Sequence, residues 1–134
     1  MTGVTARPYR VIVVEDDADV ALYVQTILER RLPCEVRVLP SADEYERTEA
    51  AFAPDVVVTD IELPGRTGFE LLAAIRSRSA ELPVVVTTAH AGAEYAERAR
   101  REGADAYLTK PLSSREFVST VERLARRRRG EDPA

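Results

Sequence analysis

The sequence predicts an α/β domain built on a parallel five-stranded sheet covered by helices on both faces. Five short runs rich in Val, Ile and Leu alternate with five stretches whose apolar residues recur at helical spacing. The connections between them have the few-residue lengths of βα units. Alternation of this kind implies right-handed crossovers, which put helices on both sides of the sheet. At 134 residues the chain is one domain, long enough to bury a real core and too short for two.

Residues 1–9 hold Gly, Pro and Thr without periodicity and read as a flexible lead, with the domain over 10–128 and a frayed tail over 129–134. Arg10 to Val14 is a strand ending in Glu15-Asp16-Asp17, and Val20, Val24, Ile27 and Leu28 then mark a helix from about Asp17 to Arg31. Pro33 stops it. Cys34 to Leu39 is a shorter edge strand, and Ser41 with Glu44 reads as a capping box opening a helix that Pro54 ends. The strand Val56 to Asp60 breaks into a loop punctuated by Pro64, Gly65 and Gly68, and a helix with Phe69, Leu72 and Ile75 on its buried side follows.

Leu82 to Thr88 is the fourth strand. The helix after it, about Ala91 to Glu102, has only Tyr95, Ala96 and Ala99 to bury and should be the least firmly anchored. Gly103 suits the end of that helix, and Asp105 to Thr109 delivers Lys110-Pro111. Ser113 with Glu116 reads as a second capping box, opening a helix striped by Phe117, Val118, Val121, Leu124 and Ala125. Arg126 to Arg129 suit the negative end of its dipole.

Composition narrows the function. Nineteen basic against 23 acidic residues give a formal charge of −4, with 45% hydrophobic and 31% charged residues, so the class is a soluble globular protein. An acidic total gives no general reason to bind nucleic acid, and Arg126 to Arg129 read as a solvated helix end. The single Cys34 makes no internal disulfide, and no His/Cys cluster could hold zinc. No apolar run has the character of a signal peptide or a membrane span. A cytoplasmic setting is the expectation.

Parallel strands present their carboxyl ends along one edge, where open α/β sheets bind ligands. Glu15 and Asp16 end the first strand there, Asp60 the third, Thr88 the fourth and Lys110 the fifth. Three carboxylates and one ammonium leave an anionic pocket suited to a small hard dication with oxygen ligands, and Mg2+ fits. One carboxylate among such neighbours can act as a nucleophile toward phosphorus. The metal and Lys110 would neutralise the transferring group, and the Thr88 hydroxyl would hydrogen bond to it once attached.

The motifs Val-Val-Glu-Asp-Asp, Thr-Asp-Ile-Glu-Leu-Pro-Gly-Arg-Thr-Gly, Val-Thr-Thr-Ala and Tyr-Leu-Thr-Lys-Pro, in this order and spacing, resemble the receiver domain of response regulators in two-component signalling. The likeness covers roughly residues 10–128. It implies a doubly wound, flavodoxin-like (βα)5 fold of the CheY-like superfamily with strand order 2-1-3-4-5. It further implies that Asp60 is the phosphoacceptor and that Glu15, Asp16, Asp60 and the backbone carbonyl of Glu62 hold Mg2+. Asp17 is expected at the start of the first helix. Thr88 would be the switch hydroxyl, Lys110 the family lysine, Tyr107 the switch aromatic and Lys110-Pro111 a cis peptide. Leu112 departs from the family, where an aromatic is frequent.

Glu62 and His90 fall two residues beyond Asp60 and Thr88, where they are expected to tune the lifetime of the phosphoryl group. The resemblance implies a sensor histidine kinase or histidine phosphotransfer protein upstream. Output to an unknown downstream protein would run through the last strand and the helices flanking it. Arg98 and Asp105 match part of the charge set of one dimerising family branch, but Ala106 and Thr120 break it, so a phosphorylation-dependent homodimer is possible rather than implied. The chain is expected to be a stand-alone receiver that loses its own phosphoryl group slowly and is not a turnover enzyme. The rivals are an aspartyl-phosphate phosphohydrolase of the haloacid-dehalogenase type, which would need a second Asp at Glu62 and a cap insert, a flavin binder, and a phosphate-independent interaction module.

Overall fold

The structure is a computed structural model that describes residues 7–131. Five strands, β1 (Tyr9–Val14), β2 (Cys34–Leu39), β3 (Val56–Asp60), β4 (Val84–Thr88) and β5 (Ala106–Thr109), alternate with five helices, α1 (Ala18–Arg31), α2 (Ala42–Phe52), α3 (Gly68–Arg78), α4 (Ala93–Arg101) and α5 (Ser114–Arg128). Every strand pairing is parallel and the order across the sheet is β2-β1-β3-β4-β5, the doubly wound arrangement the sequence predicts. Among the described residues no helix is long and apolar enough to cross a membrane.

Successive side chains of a strand point to opposite faces, so an unbroken valine run feeds two cores at once. Ile12, Val14, Val57, Val84 and Val86 face α2, α3 and α4, where Tyr45, Phe52, Phe69, Leu72 and Ile75 cover them. Val11, Val13, Val56, Val58 and Val85 face α1 and α5, under Val24, Leu28, Phe117, Val121 and Leu124.

The helices differ in their hold on these cores. Five residues of α5 are buried, Phe117, Val118, Val121, Leu124 and Ala125. A fully buried Leu or Phe contributes about 1.5–3 kcal/mol. The sole buried residue of α4 is Ala99, so this helix is the weakly anchored one, as its sequence foretells. Tyr95 and Ala96 are only half-buried, and the helix is shorter at both ends than the sequence suggests, with no side-chain hydrogen bond at its Gly92 cap.

Local chemistry departs from expectation at the helix starts and at the ends of the chain. Ser41 and Ser113 each accept the amide of the residue three positions on, but the reciprocal capping box forms at Thr67 and Glu70 instead. Tyr9 belongs to β1, and Arg129, assigned by sequence to the frayed tail, is half-buried at the base of that strand. Arg129 donates to the carbonyls of Arg7 and Pro8 and to Asp55 Oδ2, and its guanidinium lies 4.9 Å from the centre of the Tyr9 ring. The Tyr9 hydroxyl donates to Glu131, so the two ends of the domain are laced together. Residues 1–6 and 132–134 of the expected lead and tail lie outside the described residues. Cys34 is half-buried, its thiol donating to Leu28 O, and burial, then the Glu29 charge, pushes it up to about 11.

A second fastening sits where β5 begins. Asp105 Oδ2 accepts the Val84 amide and a guanidinium N–H of Arg76, while Oδ1 accepts from Arg127, so one carboxylate ties β4, α3 and α5. Arg76 also donates to the carbonyls of Gly103, Ser79 and Leu82. Truncating Asp105 strands a backbone amide and two guanidinium groups at once. Asp105→Ala should lower the unfolding free energy by about 2 kcal/mol or more, read from urea denaturation followed by circular dichroism. A loss within the error of the measurement would show that water replaces this carboxylate freely.

Candidate functional site

The parallel register aligns the carboxyl ends of the strands. Val14 is level with Thr59, so the next residues in line are Glu15 and Asp60, and Asp60 is in turn the partner of Thr87. Glu15 and Asp60 are buried, with 5% and 6% of their surface exposed, whereas Asp16 is exposed. One carboxylate oxygen from each of the three lies within 4.8 Å of the others. Lys110, just past β5, reaches across the edge to this group. Its Nζ stands 2.8 Å from Glu15 Oε1 and 2.9 Å from Asp60 Oδ2.

Burial is the largest influence on Glu15 and pushes its carboxyl above the ordinary range. The Asp60 charge acts in the same direction, and hydrogen bonds from Lys110 and the Asp17 amide oppose it. For Lys110, burial works against the charged form, but hydrogen bonds to Glu15 and Asp60 outweigh it and hold the amine above the usual lysine range. Lys110 is therefore an ammonium shared between two carboxylates. Asp17 takes no part in the cluster. Its Oδ1 accepts the amides of Asp19 and Val20 and caps α1, as the sequence suggests.

This donor set suits magnesium. Three carboxylates in a small space supply hard oxygen ligands and leave room for water or phosphate oxygens in the remaining octahedral positions. The flanking loops are fastened to the same groups, Glu15 Oε2 accepting the Asp17 amide at 3.2 Å and Asp60 Oδ1 the Glu62 amide at 3.3 Å.

The loop after Asp60 turns back tightly enough that only glycine fits at its end. A Cβ on Gly68 would lie 2.2 Å from the carbonyl oxygen of Asp60. The Gly68 amide donates to Ile61 O at 2.7 Å, and the Thr67–Glu70 capping box fixes the first turn of α3 behind it. In the sequence this glycine shows only as punctuation, because the Asp60 carbonyl it meets comes from the far side of the loop.

Thr88, at the end of β4, is fully buried, and its Oγ1 accepts the His90 amide at 3.0 Å. His90 is a junction. Its Nε2 lies 2.8 Å from Glu62 Oε2, its carbonyl accepts the Tyr107 hydroxyl at 2.8 Å, and its ring stands 5.0 Å from that of Tyr95. The sequence singles out Glu62 and His90 separately, and the fold joins them in one bridge between the loops that follow β3 and β4. Equal offsets of two residues past neighbouring strand ends could have signalled that pairing. The Lys110-Pro111 peptide is cis.

Comparison with known proteins places this geometry. A sequence model of the family described as "Response regulator receiver domain" matches residues 11–122. The chain is 35% identical over 127 residues to the transcriptional regulatory protein PrrA of Mycobacterium tuberculosis, covering 95% of this chain and 53% of PrrA. It is 36% identical over 114 residues to the DNA-binding transcriptional regulator NtrC of Escherichia coli, covering 83% of this chain and 24% of NtrC. The chain thus spans about half the length of PrrA and about a quarter of NtrC. Among solved structures, the receiver domain of the Francisella response regulator 1452 superposes with a TM-score of 0.83 at 29% identity, covering 90% of this chain and 98% of that one.

Removing Lys110 would leave Glu15 and Asp60 facing each other with no cation. Lys110→Ala should therefore cost about 3 kcal/mol of stability in the absence of divalent metal. Magnesium should raise the thermal midpoint of the variant by more than that of the parent protein, measured by differential scanning calorimetry. Equal shifts in the two proteins would refute the charge-balance account.

Proposed function

We propose, from the premise that this chain belongs to the response regulator receiver domain family, that Asp60 accepts a phosphoryl group from a phosphohistidine on a sensor histidine kinase or histidine phosphotransfer protein. The observation that carries this reading is the buried Asp60 carboxylate at the end of β3, ringed by Glu15, Asp16 and the Lys110 ammonium. An Asp60 oxygen attacks phosphorus, the O–P bond forms as the N–P bond breaks, and the imidazole nitrogen keeps the bonding pair. Glu15, Asp16, Asp60 and the Glu62 backbone carbonyl would hold Mg2+, which supplies positive charge to the phosphoryl oxygens. Lys110 contributes the second cation and orients the accepting carboxylate by its 2.9 Å contact.

Transmission starts at Thr88. Turning its hydroxyl toward a phosphoryl group on Asp60 gives up the hydrogen bond from the His90 amide and frees the loop that Tyr107 also holds. That loop leads into α4, the helix with least to lose by shifting. A groove of about 450 Å3 between α4 and β5, lined by Ala93, Ala96, Glu97, Arg100, Ala104 and Tyr107, is where a downstream protein would read the change. A charge-paired homodimer on this face would have to exchange pairs already formed within the chain, Arg98 with Glu102 and Asp105 with Arg76 and Arg127. The kinase side is served by Leu22 and Tyr23, 63% and 46% exposed on α1 next to a groove formed with Pro111 and Leu112.

Incubation with Mg2+ and acetyl phosphate should add one phosphoryl group to the intact protein by mass spectrometry. The addition should vanish in Asp60→Ala and when the metal is chelated. Absence of any addition would leave a receiver that works by binding alone. Once the phosphoryl group is attached, the Glu62–His90 bridge stands at the approach to it. Glu62→Ala and His90→Ala should each change the half-life of the phosphorylated protein by about fivefold, the effect of one hydrogen bond worth about 1 kcal/mol. Unchanged half-lives would reduce both residues to solvated loop positions.

A further inference from the structure

Opposite the acidic rim, at the amino-terminal edge of the sheet, lies an open groove of about 370 Å3 that the receiver chemistry does not use. Its floor is the start of β1 and β2, where Arg10 and Glu35 are register partners and Arg37 stands two residues further on. Its wall is the second half of α2, with Arg47, Thr48, Ala51 and Phe52. Three guanidinium groups meet one carboxylate there, a local excess of positive charge in a chain whose formal charge is −4.

Arg10 and Arg37 are held in place rather than neutralised. Arg10 donates to the carbonyl of Phe52, the last residue of α2, whose final turn has no basic side chain of its own. Its guanidinium carbon lies 5.7 Å from the centre of the Phe52 ring, and that of Arg37 lies 4.8 Å from the same centre. One buried ring therefore contacts two cations. The Arg37 carboxylate partner is Glu35 at 3.9 Å, beyond hydrogen-bonding range, with both side chains half exposed. Among the described residues the side chains of Arg47 and Thr48 form no hydrogen bond or ion pair. The acids on the other flank of α2 are already taken, Asp43 and Glu46 by Arg66, and Glu46 and Glu49 by Arg78.

From this we propose that the groove binds a compact, multiply charged phosphate compound of the diphosphate or triphosphate type. Planar guanidinium groups offer paired N–H donors that match phosphate oxygens, and groups already stacked lose little freedom when they engage. The Phe52 ring is 5% exposed and covered by the arginines, so it offers no face on which a base could stack. Ala51 is the one other apolar residue of the lining, which leaves no pocket for the aromatic or aliphatic anchor that a peptide partner uses. Charge and hydrogen bonding are what the groove reads.

The test is a 15N–1H NMR titration of the full chain with inorganic pyrophosphate and tripolyphosphate at about 0.15 M salt. It is run without divalent metal and in the Asp60→Asn background, so that the acidic rim does not contribute. Saturable shifts should be confined to β2, the second half of α2 and the Arg10, Arg37 and Arg47 side chains. Arg37→Ala and Arg47→Ala should each weaken binding by about tenfold, the loss of one hydrogen bond to a charged group. Arg30→Ala and Arg31→Ala, which remove exposed cations at the end of α1, should leave it unchanged. Absence of saturable shifts, or equal weakening by the α1 variants, would overturn the proposal. So would a glutamate-rich peptide that binds where tripolyphosphate does not.

Discussion

An ammonium shared between two buried carboxylates is the contact on which the functional end of this molecule depends. The interior strands are almost wholly apolar, so acids can be carried to the sheet edge only if something there balances them. Lys110 does so by joining the end of β5 to the groups ending β1 and β3, across the intervening β4. The same contact keeps Asp60 aimed along the edge and prevents three like charges from splaying the loops apart.

Much of this arrangement was legible from local pattern. Valine runs feeding two faces, acids and a lysine at strand ends, and a helix with little to bury are all written in neighbouring residues, and the structure bears out the parallel sheet and the weak hold on α4, while the strand order follows from the family resemblance. What local pattern did not give are the contacts between residues distant in sequence and brought together by register. Arg129 reads as one more cation in a basic run because Asp55 and the Tyr9 ring reach it only after the sheet has formed. Asp105 reads as the start of a strand, whereas its carboxylate closes on an amide of β4 and on arginines of two helices. Thr67 was hidden by its place between an arginine and a glycine, which looks like the continuation of a loop rather than a helix cap.

The two sides of the molecule are built for different tolerances. On one face α5 is fixed by five buried residues, by Arg127 on Asp105 and by Arg129 at the base, so its position follows the sheet closely. On the other, α4 has one buried alanine. Rigid and compliant elements thus flank the same edge strand, and displacement begun at the end of β4 has one easy direction to go.

The contacts that do hold α4 are of an unusual kind for a helix seam. Arg98 lies 4.0 Å above the centre of the Phe69 ring, Tyr95 stands 6.1 Å from Phe69, and His90 stands 5.0 Å from Tyr95. Flat rings and a planar cation attract over a broad range of offsets and tilts, unlike a hydrogen bond, which fails steeply with angle. Such a seam tolerates small offsets between α4 and α3 without losing its attraction, so a shift of α4 along α3 need not break the contacts that hold it.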